Sequence, residues 1–187
     1  MIKHIFLIIL ISAGFSSCAY YSHPPLPETW KISSEISECP VLDGTYYNSG
    51  WMHNKNNPSS TTSLFMLLIG DNSKNMNGVE YIKLKQFKNE LVIEAYSRTS
   101  MLASRSAQFD TSDCKNGFLK ISVPKPTGAF ASKGEGVPAV GYLWEAFQLT
   151  KGVDNSLILR QETKGITMIT IWPMVGTNWN WYKFPRK

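Results

Sequence analysis

Residues 81–96 have the sequence YIKLKQFKNELVIEAY. Apolar and polar residues alternate along 81–87, and an apolar stretch returns at 91–96 after Lys88, Asn89 and Glu90. Alternation over about four to eight residues is typical of a half-buried β-strand, and Asn is common in the tight turns that join two such strands. This stretch therefore predicts a β-hairpin.

The same pattern of a turn followed by an apolar strand recurs twice along the chain. It lies at 114–123, around Asn116, and at 147–160, around Asn155. Tight hairpin turns require a positive φ, which Asn adopts more readily than most residues. We therefore expect Asn89, Asn116 and Asn155 to take that conformation.

The C-terminal part of the chain predicts one more hairpin, with strands at 165–172 and 177–184 and a turn at 173–176. Strands are also expected at 45–47 and 63–69, so the count is roughly eight to ten. We predict an all-β fold, an antiparallel meander in which each strand pairs with the next. The pattern is compatible with a barrel-like meander or a sandwich.

The last predicted strand carries an unusual density of aromatic residues. Alternation places Trp179, Trp181 and Lys183 on one face and Asn178, Asn180 and Tyr182 on the other. Core packing is the favoured interpretation of these rings. The alternative is an aromatic platform for a sugar or lipid ligand.

The composition is that of a globular protein with a mild positive charge. The chain has 187 residues, 43% of them hydrophobic and 18% charged, and its formal net charge is +5. A typical domain has roughly 100 to 200 residues, so we predict a single β domain over 39–187. The basic residues are spread out rather than massed, so no nucleic-acid partner is expected.

The first 17 residues have the layout of a signal peptide. Lys3 and His4 precede the apolar run 5–11, and small residues dominate 12–17. A secretory signal has a positive start, an apolar stretch of about 7 to 15 residues and a small-residue exit, whereas a membrane-spanning helix needs about 20 apolar residues. Residues 1–17 are therefore predicted to direct export.

Residues 15–18, FSSC, resemble the lipobox of bacterial lipoproteins. This resemblance implies cleavage before Cys18 and attachment of a diacylglyceryl group and acyl chains such as palmitate. Ala19 is not the Asp that in such proteins accompanies inner-membrane retention, so the resemblance implies the cell outer membrane, facing the periplasm or the surface. The alternative is an ordinary cleavage site at Ser17 and Ala19, which would release a soluble chain beginning at Tyr20.

Assigning Cys18 to lipid leaves Cys39 and Cys114 as a pair. Exported proteins meet an oxidising compartment, so we predict a disulfide, worth about 4.5 kcal/mol in the chain-entropy treatment. A zinc site needs four clustered ligands, and neither His23 nor His53 stands at ligand spacing from a cysteine. No metal ion is therefore expected.

Residues 18–38 are predicted to form the lipidated N-terminus and an extended tether. The segment shows no sustained periodicity, and three prolines within 24–27 favour an extended backbone. In the alternative interpretation, Trp30 packs back onto the domain.

Residues 39–50, CPVLDGTYYNSG, resemble the opening of a group of uncharacterised Gram-negative bacterial lipoproteins with the pattern Cys-Pro-x-Leu-x-Gly-x-Tyr after a lipobox. Cys114 before Asn116 and the WYKF ending at 181–184 also fit that group. A weaker resemblance, at Gly44-Thr45-Tyr46, is to the first strand of lipocalin-like barrels. These resemblances imply export and a β fold, and they imply no particular activity.

The sequence contains no recognisable catalytic or cofactor motif. We find no nucleophile elbow, metalloprotease motif, phosphate loop or dinucleotide fingerprint, so neither an enzymatic activity nor a cofactor is expected. His53 is interpreted as an exposed loop histidine. Three long connections, 48–62, 97–110 and 124–141 with its lone Phe130, are candidate binding loops.

These observations favour a non-enzymatic outer-membrane lipoprotein that interacts with an envelope protein or polymer. The alternative is a carrier of a lipid or other small apolar ligand, with a barrel cavity lined by residues such as Phe147, Leu157 and Trp172. A hydrolase of envelope polymers is the least favoured hypothesis, because it would need convergent acids that the sequence does not indicate.

Overall fold

The computed structural model describes residues 24–33, 39–53, 60–70, 78–122, 130–132, 139–169 and 172–187. Within these ranges, only the backbone is described at 130–132, 139–141, 143, 166–169 and 172–174. Cys18, for which the sequence predicts lipidation, therefore lies outside the described residues.

Twelve strands in the described residues form two antiparallel sheets. The four-stranded sheet has the order β1-β4-β5-β6. Its strands are β1 (Gly44–Tyr47), β4 (Tyr81–Phe87), β5 (Glu90–Tyr96) and β6 (Met101–Gln108). The predicted hairpin at 81–96 is thus formed by β4 and β5, with Phe87 opposite Glu90.

The eight-stranded sheet has the order β3-β2-β12-β11-β10-β8-β7, and β9 pairs with β10. Its strands are β2 (Ser49–His53), β3 (Ser60–Ser63), β7 (Cys114–Lys115), β8 (Phe118–Ile121), β9 (Phe130–Ser132), β10 (Ala139–Lys151), β11 (Leu157–Ile169) and β12 (Trp172–Phe184). A short helix, α1 (Leu64–Leu68), follows β3, and a 3-10 turn spans Thr111–Asp113.

The all-β antiparallel prediction is confirmed, with two more strands than the upper expected count. Consecutive strands pair in β4-β5-β6 and in β10-β11-β12, as a meander requires. The pairs β1-β4, β2-β12 and β8-β10 instead join strands that are distant along the chain. Such long-range pairing depends on packing between segments and leaves no local trace in the sequence.

The chain divides into two compact units. The described residues of the larger unit are 24–122 with its gaps, 145–163 and 179–187. Those of the smaller unit are 130–132, 139–144, 164–169 and 172–178. In the smaller unit, β9 pairs with the start of β10, with Phe130 opposite Gly141. The single domain over 39–187 stays a prediction.

Several predicted local assignments are wrong, among them the connection expected at 48–62, which contains β2 and most of β3. The expected strand at 63–69 contains α1, because four of the five residues at 64–68 are buried and the first turn is capped by the Ser63 side chain. The connection expected at 97–110 contains β6, whose small and polar residues carry little hydrophobic signal. The turn expected at 173–176 lies inside β12.

The turn conformations follow the prediction at two of the three asparagines. Asn116 and Asn155 have φ of 53° and 61°. In the first hairpin, however, the positive φ of 36° belongs to Lys88 rather than to Asn89. A two-residue turn can place its left-handed residue at either central position, and composition alone did not identify which.

The buried core of the larger unit takes side chains from both sheets. Tyr46, Ile82 and Ile93 from the four-stranded sheet and Phe147 and Phe184 from the eight-stranded sheet belong to one cluster and are almost completely buried. Burial also raises the pKa of Tyr46 to about 12, and its hydroxyl donates to the Leu42 carbonyl oxygen at 3.1 Å.

Cys39 and Cys114 form the predicted disulfide, with their Cα atoms 5.0 Å apart. Both cysteines pack against the buried core. The bond therefore ties the segment before β1 to the start of β7 across 75 residues of sequence.

Residues 24–33 contact the domain instead of extending freely. Ile32 forms a β-bridge with Gly152, and the ring centroids of Trp30 and His53 are 6.2 Å apart. The Trp181 indole nitrogen donates to the Pro24 carbonyl oxygen at 2.9 Å. The alternative in which Trp30 packs onto the domain is confirmed for this part of the expected tether.

Asn48 lies where the chain leaves β1 for β2 and so passes from one sheet to the other. Its side-chain oxygen accepts from the Phe65 amide at 2.8 Å and from the Ser63 hydroxyl at 3.0 Å, and its side-chain nitrogen donates to the Val79 carbonyl oxygen at 3.1 Å. Its backbone donates to Glu80 at 2.9 Å and accepts from Leu64 at 2.8 Å. Asn48 therefore connects the segment between the two sheets to the start of α1 and to the residues that precede β4.

We predict that Asn48→Ala lowers the free energy of unfolding by about 3 kcal/mol, because three side-chain hydrogen bonds are lost in a partly buried place. Urea denaturation followed by circular dichroism measures the change. Asn178→Ala, at an exposed position, is the matched control and should change stability little. Equal stability of the two variants would contradict the role assigned to Asn48.

Candidate binding surface

Three tyrosines form a row across the outer face of the four-stranded sheet. Tyr47 of β1 is opposite Tyr81 of β4, and Tyr81 is opposite Tyr96 of β5. The rings of Tyr81 and Tyr96 stack, with centroids 5.2 Å apart and planes within 6° of parallel. Tyr47 is 47% exposed. We call Tyr47, Tyr81 and Tyr96 the tyrosine row.

The C-terminal residues run beside this row. The Tyr47 amide donates to the Pro185 carbonyl oxygen at 3.0 Å, and the Lys187 amide donates to the Thr45 carbonyl oxygen at 2.8 Å. These bonds hold the Lys187 ammonium group 3.7 Å from the centroid of the Tyr81 ring. The cation–π contact extends the stack of Tyr81 and Tyr96 by one charged group.

Glu94 connects the tyrosine row to a lysine on the same face. Its carboxylate accepts from Lys85 Nζ at 2.7 Å and from the Tyr96 hydroxyl at 2.9 Å. The hydrogen bond from Lys85 is the main cause that lowers the pKa of Glu94. The hydrogen bond to Glu94 raises the pKa of Tyr96. Glu94 is thus an acceptor already engaged by two donors.

A basic depression of about 380 Å³ lies over the row. It is lined by Thr45, Tyr81, Lys83, Tyr96 and Lys187. Its lining contributes two lysine side chains and no carboxylate side chain, so we call it the basic depression.

A groove of about 490 Å³ opens beside Tyr47. Its lining includes the aromatic residues Tyr47 and Trp51, the latter 49% exposed, with Pro185 as an apolar neighbour. Thr61 and Glu80 add a hydroxyl and a carboxylate. The groove therefore combines apolar rings with polar hydrogen-bonding groups, which is common in sites that bind small molecules.

The aromatic residues of β12 that drew attention in the sequence pack within the protein. Trp181 is 5% exposed, its ring centroid is 6.0 Å from that of Phe118, and the Arg160 guanidinium lies 5.4 Å from its ring. The same guanidinium lies 4.1 Å from the Trp179 ring. Packing therefore buries Trp181, as the favoured interpretation expects, although its ring lies outside the main hydrophobic cluster, and Trp181 presents no open face to a ligand.

The other residues considered from the sequence lie elsewhere. Phe147 and Leu157 are fully buried in the core and line neither cavity, and the side chain of Trp172 is outside the described part of the chain. His53, expected in a loop, lies in β2 opposite Trp181. The side chain of Phe130 is also outside the described part.

Sequence reasoning did not identify the tyrosine row as a site. The signal was present in part, because alternation in β4 and β5 places Tyr81, Lys83 and Tyr96 on the solvent side of the predicted hairpin. Tyr47 and Lys187 join them only through pairings that are distant in sequence.

Comparisons with protein-family models, curated proteins and solved structures found no match. Among the described residues, no group of three or more His, Cys, Asp or Glu side chains could hold a metal ion. No helix in the same residues has the length and apolar character that a membrane span requires.

We predict that Glu94→Gln lowers the pKa of the Tyr96 hydroxyl, because the carboxylate that accepts its hydrogen bond is replaced by a neutral amide. NMR titration of labelled tyrosine rings measures this pKa. Glu90→Gln, on the same face of β5, is the matched control and should leave Tyr96 unchanged. An unchanged Tyr96 titration in Glu94→Gln would show that the bond to Glu94 does not hold in solution.

Proposed function

We propose that this protein is an exported lipoprotein, anchored in the outer membrane through lipidated Cys18, that acts without catalysis by binding another component of the envelope. The binding site in this proposal is the tyrosine row with its groove and basic depression. The row carries the proposal, because three neighbouring tyrosines on a solvent face supply contact area at low cost in side-chain entropy.

Two further observations support export and anchoring. Residues 1–17 have the layout of a signal peptide, and residues 15–18 resemble a lipobox. The disulfide between Cys39 and Cys114 is typical of proteins that fold in an oxidising compartment. Acyl chains on Cys18 would keep the domain at a bilayer far more durably than its moderate charge.

The side chains of the surface are suited to binding. The Tyr96 hydroxyl is held by Glu94, and Lys187 is held over Tyr81 by a backbone hydrogen bond, so the groups are positioned before a ligand arrives. Such preorganisation reduces the entropy that binding must overcome. The exposed rings of Tyr47 and Trp51 widen the contact area toward the groove.

Mass spectrometry of the protein from a Gram-negative host tests the anchor. We expect a mature N-terminus at Cys18 that carries acyl chains, and we expect Cys18→Ser to move the protein from the membrane fraction to the soluble fraction. A wild-type chain that still begins at Met1, or begins unmodified at Tyr20, would contradict the anchor.

Retention on the envelope after detergent extraction tests the binding. Detergent releases proteins held by lipid alone, so we expect part of the wild-type protein to stay with a crosslinked envelope partner. Tyr81→Ser combined with Tyr96→Ser should reduce this retained part by about tenfold, which corresponds to removal of two central binding residues.

Phe87→Ala is the matched control, because Phe87 is 57% exposed on the same strand and lies outside the row. It should be retained like the wild type. Equal retention of the double tyrosine variant and the control, with both variants folded by circular dichroism, would refute the assigned surface.

A further inference from the structure

We infer that the ligand of this surface is an acidic glycan, with one sugar ring in the groove and the carboxylate or phosphate of a neighbouring sugar in the basic depression. This inference rests on the proposed function, because it names the chemical class of the component that the surface binds. Three features of the surface lead to it.

The groove and the depression are close enough for one chain to occupy both. Tyr47 lines the groove and is the direct register partner of Tyr81, which lines the depression. Adjacent strands lie about 4.8 Å apart. Pro185 borders the groove, and Lys187, two residues later, borders the depression. A linear ligand therefore passes from one cavity to the other by crossing neighbouring strands.

The groove has the mixed chemistry that a sugar ring requires. The rings of Tyr47 and Trp51 supply apolar surface for the C–H faces of a pyranose, and the Glu80 carboxylate and Thr61 hydroxyl can bond to its hydroxyl groups. The Glu80 carboxylate also accepts from Arg98 Nε at 3.3 Å, and a hydrocarbon chain in the groove would desolvate this exposed ion pair without offering it a polar contact. These lining groups therefore favour an uncharged, hydroxyl-rich ring over a lipid tail.

The depression provides the charge complementarity. Lys83 and Lys187 both line it, and Glu94, directly opposite Lys83 on β5, is engaged by Lys85 and Tyr96. Glu94 pairs with Lys85 at 2.7 Å, and its coulombic interaction with Lys83, the register partner of Glu94, is the smallest of the causes that lower its pKa. Two ammonium groups beside the Thr45 hydroxyl thus form a place for an anionic substituent.

Calorimetry with defined oligosaccharides tests this inference on the purified mature protein. The probe is a linear oligomer of galacturonic acid, and its neutral counterpart is the galactose oligomer of the same length. We expect the acidic oligomer to bind at least about tenfold more tightly than the neutral one, a difference that added salt should reduce.

Variants assign each part of the ligand to its cavity. Lys83→Gln with Lys187→Gln should weaken the acidic oligomer about tenfold and leave any affinity for the neutral oligomer unchanged. Tyr47→Ala with Trp51→Ala should weaken both oligomers. Lys115→Gln with Lys120→Gln removes the same charge at exposed positions on β7 and β8 and should change neither affinity beyond about twofold.

Three outcomes would overturn the inference. They are equal affinity for the two oligomers, equal effects of the two lysine pairs, and binding to phosphatidylglycerol vesicles or to inorganic polyphosphate in place of either oligomer. If the crosslinked envelope partner is a protein whose capture requires the tyrosine row, the acidic-glycan inference fails and the proposed function stands. If envelope retention does not depend on the row, both fail.

Discussion

The hydrogen bonds of Asn48 are the constraint on which the arrangement of the larger unit depends. β1 and β2 are separated by this one residue and yet belong to different sheets, so the chain must change direction without leaving polar backbone groups unpaired. Asn48 satisfies this requirement by bonding to the start of α1 and to the residues before β4. Tyr47 and Trp51, on either side of this crossing, are 47% and 49% exposed.

The two sheets of the larger unit use their outer faces differently. On the eight-stranded sheet, Arg160 lies against Trp181, whose indole also bonds to the segment 24–33, so that region of the face is largely covered. On the four-stranded sheet, Tyr47 and the cavities beside it are open. The outer face of the eight-stranded sheet is covered here because the segment 24–33 packs on it, with Ile32 in a β-bridge to Gly152. Aromatic residues at similar alternating positions are thus covered at Trp181 and exposed at Tyr47.

Much of the local structure could be predicted from the residues, because its signals are local. The hairpin at 81–96, the turns at Asn116 and Asn155 and the two-sided pattern of β12 all depend on alternation and turn chemistry within a few residues.

The errors in the predicted elements also have local causes. The run LFMLL at 64–68 is too short to distinguish a strand from a buried helix turn, and the weakly apolar β6 becomes a strand only because β5 offers it a paired edge. The tyrosine row was missed because Tyr47 lies more than thirty residues before its register partner Tyr81. Local alternation does not indicate that these two strands pair.

The sequence by itself determined the all-β class and the pairing of the two domain cysteines, because both follow from the kinds and spacing of residues along the chain. Tertiary structure alone decided which strands meet across long distances and which aromatic rings are exposed. The physical reason is that burial depends on what packs against a residue, and its packing partners can lie anywhere in the chain. Trp181 and Tyr47 both occupy outward positions on their strands, and only the presence or absence of a covering segment separates a packed ring from a candidate binding residue.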